Sequence, residues 1–215
     1  MQNVTVVVPC RNEEQAVAGV LAAIPADYAV IVVDNGSTDN TAAVAAREGA
    51  RVVREEEPGY GAAVLAGIAA VRSPLTAVID GDGSLDPREL VPLVAAVEAG
   101  ADLAVGRRRP DAGVWPWHAR LGTAIAAWRL RRKHRVPVHD IAPMRVARTD
   151  RLRSLDVRDR RFGFPVELLI RAGAQRWSIT EHDISYGPRT AGVSKVSGSL
   201  RGSALATIDF LRMLR

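Results

Sequence analysis

An apolar run, Thr76–Ile79, ends in Asp80-Gly81-Asp82-Gly83, two carboxylates one residue apart on a glycine-loosened turn. In an extended segment residues i and i+2 point the same way, so both carboxylates can converge at the tip of a strand. Two anionic oxygen donors there suit a hard divalent cation, Mg²⁺ or Mn²⁺, that takes its other ligands from substrate phosphates and water. The competing reading is a solvated acidic turn. A helix–loop–helix calcium loop is excluded, because counting from Asp80 it requires Gly and Glu where the chain has Leu85 and Val91. A second carboxylate, Glu167, is the only acid in the apolar stretch Phe164–Ile170. There it must be paired, ligated or catalytic, unless it is simply a first-turn acid favoured by the helix dipole. Asp140 is its rival.

The elements that would position these groups follow from hydrophobic pattern and turn chemistry. Val4–Val8 is a β-branched run stopped by Pro9, and Asn12 is expected to cap a helix reaching about Ile24. Val30–Val33 reads as a second strand, and Ser37 or Thr38 as the cap of a helix to about Glu48. A strand Arg51–Arg54, an alanine-rich helix to about Arg72, the Asp80/Asp82 strand, a helix Pro87–Ala99 capped by Asp86, and a strand Asp102–Val105 continue the alternation. Strand–helix alternation with short connections predicts an α/β fold: a mostly parallel sheet with helices on both faces. Asn12/Glu13, Asp34/Asn35, Gly59/Gly61 and Asp80/Asp82 each follow the C-terminal end of a strand, the edge where open α/β sheets bind ligands. Beyond Pro110 the pattern is less regular. His118–Arg135 reads as a basic amphipathic helix with Leu121, Ile125 and Trp128 on one stripe, and 138–145 as a strand-like or loop segment. A helix from Phe164, a strand Trp177–Ser185, a basic glycine-containing loop 187–195 and a helix Leu200–Leu214 complete the chain.

At 215 residues, 47% apolar and 25% charged, one domain with one substantial core is expected. Its first half (1–106) would bind the nucleotide and its second (107–215) the acceptor. The single cysteine, Cys10, excludes an internal disulfide. No signal-peptide pattern opens the chain, and no apolar run is long enough to span a bilayer. The expected location is therefore cytoplasmic, with peripheral contact on the inner face of the cell membrane left open. Net charge is +5, almost all of it arginine, since Lys133 and Lys195 are the only lysines. Arginine excess fits phosphate ligands, anionic lipid or nucleic acid, and it also fits coding bias. Nucleic acid is disfavoured because the basic stretch has no stacking platform or reading motif.

Several nucleotide chemistries drop out. Gly59-Tyr60-Gly61-Ala62-Ala63-Val64 follows the third strand rather than the first and has Val64 where a dinucleotide fingerprint wants a small residue. There is no Gly-x-x-x-x-Gly-Lys-Ser/Thr loop, no Gly-x-Ser-x-Gly elbow and no zinc spacing.

What remains resembles a family. Val8-Pro9-Cys10-Arg11-Asn12-Glu13-Glu14, Val33-Asp34-Asn35-Gly36-Ser37-Thr38-Asp39, Gly59-Tyr60-Gly61, Asp80-Gly81-Asp82-Gly83, Val105-Gly106-Arg107-Arg108, Glu167-Leu168-Leu169-Ile170-Arg171, Tyr186-Gly187-Pro188-Arg189 and Gly192-Val193-Ser194-Lys195 occur in the order of a family 2 glycosyltransferase. The chain is similar to bacterial polyprenyl-phosphate sugar transferases of the dolichyl-phosphate mannosyltransferase type. The resemblance implies a GT-A fold and a metal-dependent inverting transfer from a UDP- or GDP-sugar. It places Pro9, Arg11, Asn12, Glu13, Asp34, Asn35, Gly59, Gly61, Asp80 and Gly81 around the nucleotide, with Asp34 accepting a ring N–H of the base. Asp80 and Asp82 would hold Mg²⁺ or Mn²⁺. Arg189, Ser194 and Lys195 would close over the phosphates and acceptor, and Glu167, with Asp140 as the alternative, would sit at the reacting sugar.

A hydroxyl acceptor needs a general base, whereas a phosphate monoester is already anionic near neutral pH. Glu167 would be a base in the first case and an orienter of a loop arginine in the second. Polyprenyl phosphate is the expected acceptor, with a small soluble hydroxyl compound next. A nucleotidyltransferase or a non-catalytic nucleotide-sugar-binding protein are the readings from other classes. Donor base, sugar and oligomeric state, a homodimer included, stay open.

Overall fold

The computed structural model describes residues 2–190. Its strands are β1 (Val4–Cys10), β2 (Ala29–Asp34), β3 (Arg51–Arg54), β4 (Leu75–Val78), β5 (Leu103–Pro110), β6 (Arg145–Arg148) and β7 (Ile179–Tyr186). The helices are α1 (Val17–Ala23), α2 (Thr41–Arg47), α3 (Tyr60–Ala70), α4 (Leu90–Glu98), α5 (Trp117–His134), α6 (Thr149–Ser154) and α7 (Phe164–Ala174). The strands form one sheet in the order β3-β2-β1-β4-β6-β5-β7. Period-2 alternation sorts the side chains of each strand to two faces. Val6 and Val8 pack under α1 and α4, while Val7, Val33 and Val105 pack under α3, α5 and α7. The expected mostly parallel sheet with helices on both faces is what forms.

Two local expectations are corrected. Asn12 does not cap a helix: it adopts a left-handed conformation (φ 55°) and its Oδ1 accepts from Thr38 N at 2.8 Å, so α1 begins only at Val17. Ser37 does not cap α2 either, since its Oγ accepts from Asn12 N, and Asp39 supplies the acceptor for Thr41 N instead. The two loops thus cross-link each other, which satisfies backbone donors that isolated caps would have satisfied. Asp86 behaves as expected, accepting from Arg88 N at 3.0 Å ahead of a single 3₁₀ turn, Pro87–Glu89.

Strand order is a feature that local pattern does not give. The fifth strand does not lie beside the fourth. Arg145–Arg148, at the end of the segment left open as strand or loop, inserts between them and runs antiparallel to both: Val78 pairs with Arg145, and so does Val105. Being antiparallel, β6 begins at the edge where its neighbours end, so it delivers Arg145 to the ligand-binding edge.

The start of α3 is covered by residues 159–161. Gly61 N donates to Arg161 O at 3.1 Å and Ala62 N to Arg160 O at 2.9 Å, so first-turn donors that a helix leaves unpaired find partners in that segment. The approach needs glycine, because a Cβ on Gly61 would lie 2.1 Å from Asp159 O and 2.8 Å from Arg160 C. These are backbone atoms that cannot swing aside. Gly61→Ala should therefore destabilise the chain by about 1–3 kcal/mol, the usual cost of overpacking. Thermal denaturation should show this as a midpoint lowered by roughly 2–12 °C.

Candidate active site

Asp80 and Asp82 follow β4 at the C-terminal edge of the sheet. Asp82 is buried; its Oδ1 accepts from Ser84 N at 2.9 Å and Ser84 Oγ at 2.6 Å, and its Oδ2 pairs with Arg189 Nη2 at 2.8 Å. Asp80 is half-buried, and its Oδ1 is enclosed with no hydrogen-bond partner among the described residues. Burial, and then the like charge of Asp82, push the Asp80 carboxyl up to about 6. An enclosed carboxylate oxygen beside a second carboxylate lacks only a cation. The pair therefore fits a hard divalent metal that draws its remaining ligands from phosphate and water.

Three arginines surround the pair. Arg145 is 1% exposed; its Nη2 donates to Tyr60 Oη at 2.8 Å, while Nε and Nη1 have no hydrogen-bond partner among the described residues. Arg108 is held by Asp140 through Nε to Oδ2 at 2.8 Å and Nη2 to Oδ1 at 2.7 Å, and its guanidinium lies 3.9 Å from the centre of the Trp115 ring. Arg189 reaches across from the segment after β7, where Thr190 N also donates to Asp82 O. All three favour the ionised form of Asp80 without overcoming burial and Asp82. Tyr60 is pushed up, mainly by burial and partly by Asp80.

The residues expected around the nucleotide lie on the same edge. Asp34, buried at the end of β2 in register with Cys10, accepts from Ser37 N at 3.0 Å. Pro9, half-buried, is the last residue but one of β1, exposed Arg11 follows the strand, and Glu13 N donates to Thr41 Oγ1. The Asn35 side chain staples two loops together. Its Nδ2 donates to Glu55 O and Glu57 O, and its Oδ1 accepts from Gly59 N at 2.8 Å. Gly59 and Gly61 likewise lie against Arg160 and Asp159, so their lack of side chains serves packing. Gly81 packs against Cys10, whose Sγ a Cβ there would meet at 2.5 Å.

Neither candidate base is free. Glu167 Oε2 accepts from Arg158 N at 3.0 Å and Asp159 N at 2.7 Å, and Oε1 accepts from Arg171 Nε at 2.6 Å. Asp140 accepts from Arg108 N, from the Arg108 guanidinium and from Ile141 N. The sequence missed Arg145, Tyr60 and Arg108 as members of the site. Tyr60 and Arg108 stood in motifs without being assigned a role there, and Arg145 depends on the antiparallel strand. Ser194, Lys195 and the helix expected at Leu200–Leu214 lie outside the described residues.

Residues 5–148 match the family described as Glycosyl transferase family 2. The chain belongs to that family, and it is a glycosyltransferase. It is 61% identical, over 98% of its length and 97% of the relative's, to an uncharacterised glycosyltransferase of Mycobacterium tuberculosis. It is 35% identical to the polyprenol monophosphomannose synthase of Mycolicibacterium smegmatis, over 92% of this chain and 82% of that one. Among solved structures it resembles the glucosyl-3-phosphoglycerate synthase of Mycobacterium tuberculosis in complex with Mn²⁺, UDP and glucosyl-3-phosphoglycerate. The TM-score is 0.77 at 26% identity, covering 99% of this chain and 78% of that one. A second structure of that synthase holds Mg²⁺ with UDP.

The strained carboxylate pair makes a prediction about stability. A carboxyl raised in the fold contributes fully below its unfolded value of 3.8, and that contribution is lost as pH rises through about 6. At neutral pH ionised Asp80 therefore costs stability in the metal-free protein. Asp80→Asn in chelator should raise the melting midpoint at pH 7 by roughly 2–6 °C, and by less near pH 5. A lowered midpoint would mean that the arginines outweigh burial.

Proposed function

We propose that this glycosyltransferase moves a sugar from a nucleoside-diphosphate sugar onto a polyprenyl phosphate, with inversion at the anomeric carbon. The observation that carries the choice of acceptor is the full engagement of Glu167 and Asp140. A hydroxyl acceptor must surrender a proton as it attacks, and these two carboxylates are committed to backbone N–H groups and arginines. A phosphate monoester arrives with a charge of about −1.5 to −2 and needs no base. Its oxygen forms the new bond to the anomeric carbon as the bond from that carbon to the nucleoside diphosphate breaks, and the electron pair leaves with the diphosphate.

In this scheme Asp80 and Asp82 hold Mg²⁺ or Mn²⁺, which when bound neutralises charge on the departing diphosphate. Asp34, with Pro9, Arg11 and Glu13, receives the base and ribose. Arg108 and Arg145 supply fixed positive charge at the floor of the site, where two phosphorylated substrates would otherwise repel each other. Guanidinium groups suit this because they stay charged even when buried. Arg189, paired with Asp82, would transfer to phosphate oxygens, joined by Ser194 and Lys195. Glu167 orients the segment 158–161 and Arg171. The polyprenol monophosphomannose synthase relative supports the lipid phosphate, and the UDP complexes of the structural relative support the donor class.

Donor binding is read by thermal shift with UDP and GDP, each with Mn²⁺ or chelator. At a hundredfold excess over its dissociation constant a ligand adds about 2.7 kcal/mol, or roughly 5–10 °C here. One nucleotide should produce that shift, with metal only, and Asp82→Asn should abolish it. Acceptor choice is read by transfer of labelled sugar to polyprenyl phosphate, polyprenol or 3-phosphoglycerate. Polyprenyl phosphate alone should accept, and Glu167→Gln should lower kcat per folded molecule by less than about tenfold. Transfer to either hydroxyl compound, or a hundredfold loss in Glu167→Gln, would restore Glu167 as a base.

A further inference from the structure

The large apolar side chains left exposed among the described residues are Val91, Trp117, Leu121, Ile125 and Trp128. Single exposed apolar residues are ordinary, but four of these five lie on one helix. Positions 117, 121, 125 and 128 follow the i, i+4, i+8, i+11 spacing of a single stripe. That stripe is opposite the face α5 uses for the core, which consists of Thr123, Ala126, Ala127 and Leu130. The helix therefore presents side chains to the core on one face, three of the four small, and large apolar ones outward on the other, with Trp117 75% and Trp128 53% exposed.

Charge identifies the occupant. From Trp117 to His134 there is no acidic residue, and the last turn is Arg131, Arg132, Lys133 and His134. Arg120 and Arg131 fall on one flank of the stripe, and Arg129 and Lys133 on the other. An apolar stripe with tryptophan near both ends and cationic flanks is the pattern of a helix lying in the plane of a membrane interface. A second copy fits poorly. Two-fold association would bring the same basic flanks together with no acid on the helix to neutralise them.

We propose that the outer face of α5 seats the enzyme on an anionic lipid surface. Trp117, Leu121, Ile125 and Trp128 enter the headgroup–acyl boundary, and the flanking arginines and lysine meet lipid phosphates. The stripe begins two residues after Trp115, whose ring covers Arg108, so the docked helix brings the active-site edge to headgroup level. Docking rests on the stripe and its charge and does not depend on the acceptor assigned above.

The test is co-sedimentation of the full chain with vesicles of phosphatidylcholine alone or with about one-third phosphatidylglycerol, at low and high salt. The wild type should bind the anionic vesicles, and less so in high salt. Leu121→Ser/Trp128→Ser should bind roughly tenfold more weakly or worse, while its nucleotide-induced thermal shift matches wild type. No binding to anionic vesicles, or equal binding by the variant, overturns the proposal. A wild-type dimer in sedimentation velocity that the variant dissociates, without lipid binding, also overturns it and makes this face a subunit contact. Vesicle binding without sugar transfer to polyprenyl phosphate would refute the acceptor and leave the docking intact.

Discussion

Two carboxylates held together at the end of β4 set the terms for everything around them. Like charges at this separation, one of them with an enclosed oxygen, are unfavourable without counter-charge. The surrounding chain supplies that charge in layers. Arg108, Arg145 and Arg189 come from β5, β6 and the segment after β7, and each is fixed by a further group. Asp140 and Trp115 fix Arg108, Tyr60 fixes Arg145, and Asp82 itself engages Arg189. Asp140 is held in turn, its backbone N donating to Glu181 Oε1 at 3.2 Å. What looks like an excess of arginine in the composition is, in this region, compensation for a pair of neighbouring carboxylates.

The antiparallel strand is what makes that compensation geometrically available. In a purely parallel sheet only C-terminal strand ends reach that edge, and Cys10 and Asp34 stand at such ends, with Asp80 just beyond one. By reversing direction between β4 and β5, β6 brings its first residue to the same edge. Arg145 pairs across to Val78 on one side and Val105 on the other. Its backbone is thus held in a central strand, and its guanidinium cannot drift with a loop. A fixed charge does not have to reorganise when a substrate phosphate arrives.

This explains which parts of the molecule could be read from the chain. The strand–helix alternation, the sheet edge bearing the polar clusters and the Asp80/Asp82 pair all depend on local pattern, and they stand where pattern puts them. Arg145 could not be found that way. Its strand is four residues long, its direction is a property of the whole sheet, and nothing local separates it from the many other arginines. Asn12 and Asn35 show a different limit. Both have polar side chains in the right place, but cross-loop bonds to Thr38, Glu55, Glu57 and Gly59 consume them. Residue type announces hydrogen-bonding capacity; only the fold says where it is spent. The stripe on α5 was visible as amphipathicity, but its direction was not, since an apolar stripe normally faces the core.

The same accounting bears on what Glu167 can mean when it is mutated. Its carboxylate ties down Arg158 N and Asp159 N, and the residues that follow cover the first turn of α3 at Gly61 and Ala62. Gly59, at the head of that helix, is bonded to Asn35, and Asn35 N is bonded to Cys10 O at the end of β1. A continuous run of hydrogen bonds therefore connects α7 to the loops on the nucleotide side. Loss of the Glu167 charge would loosen that run and lower donor affinity without any role in proton transfer. A base and a brace differ in where the damage appears. Removing a base lowers kcat and leaves nucleotide binding alone, whereas removing a brace weakens nucleotide binding and leaves the chemical step largely intact. With both oxygens of Glu167 already engaged, the brace is the role its surroundings support.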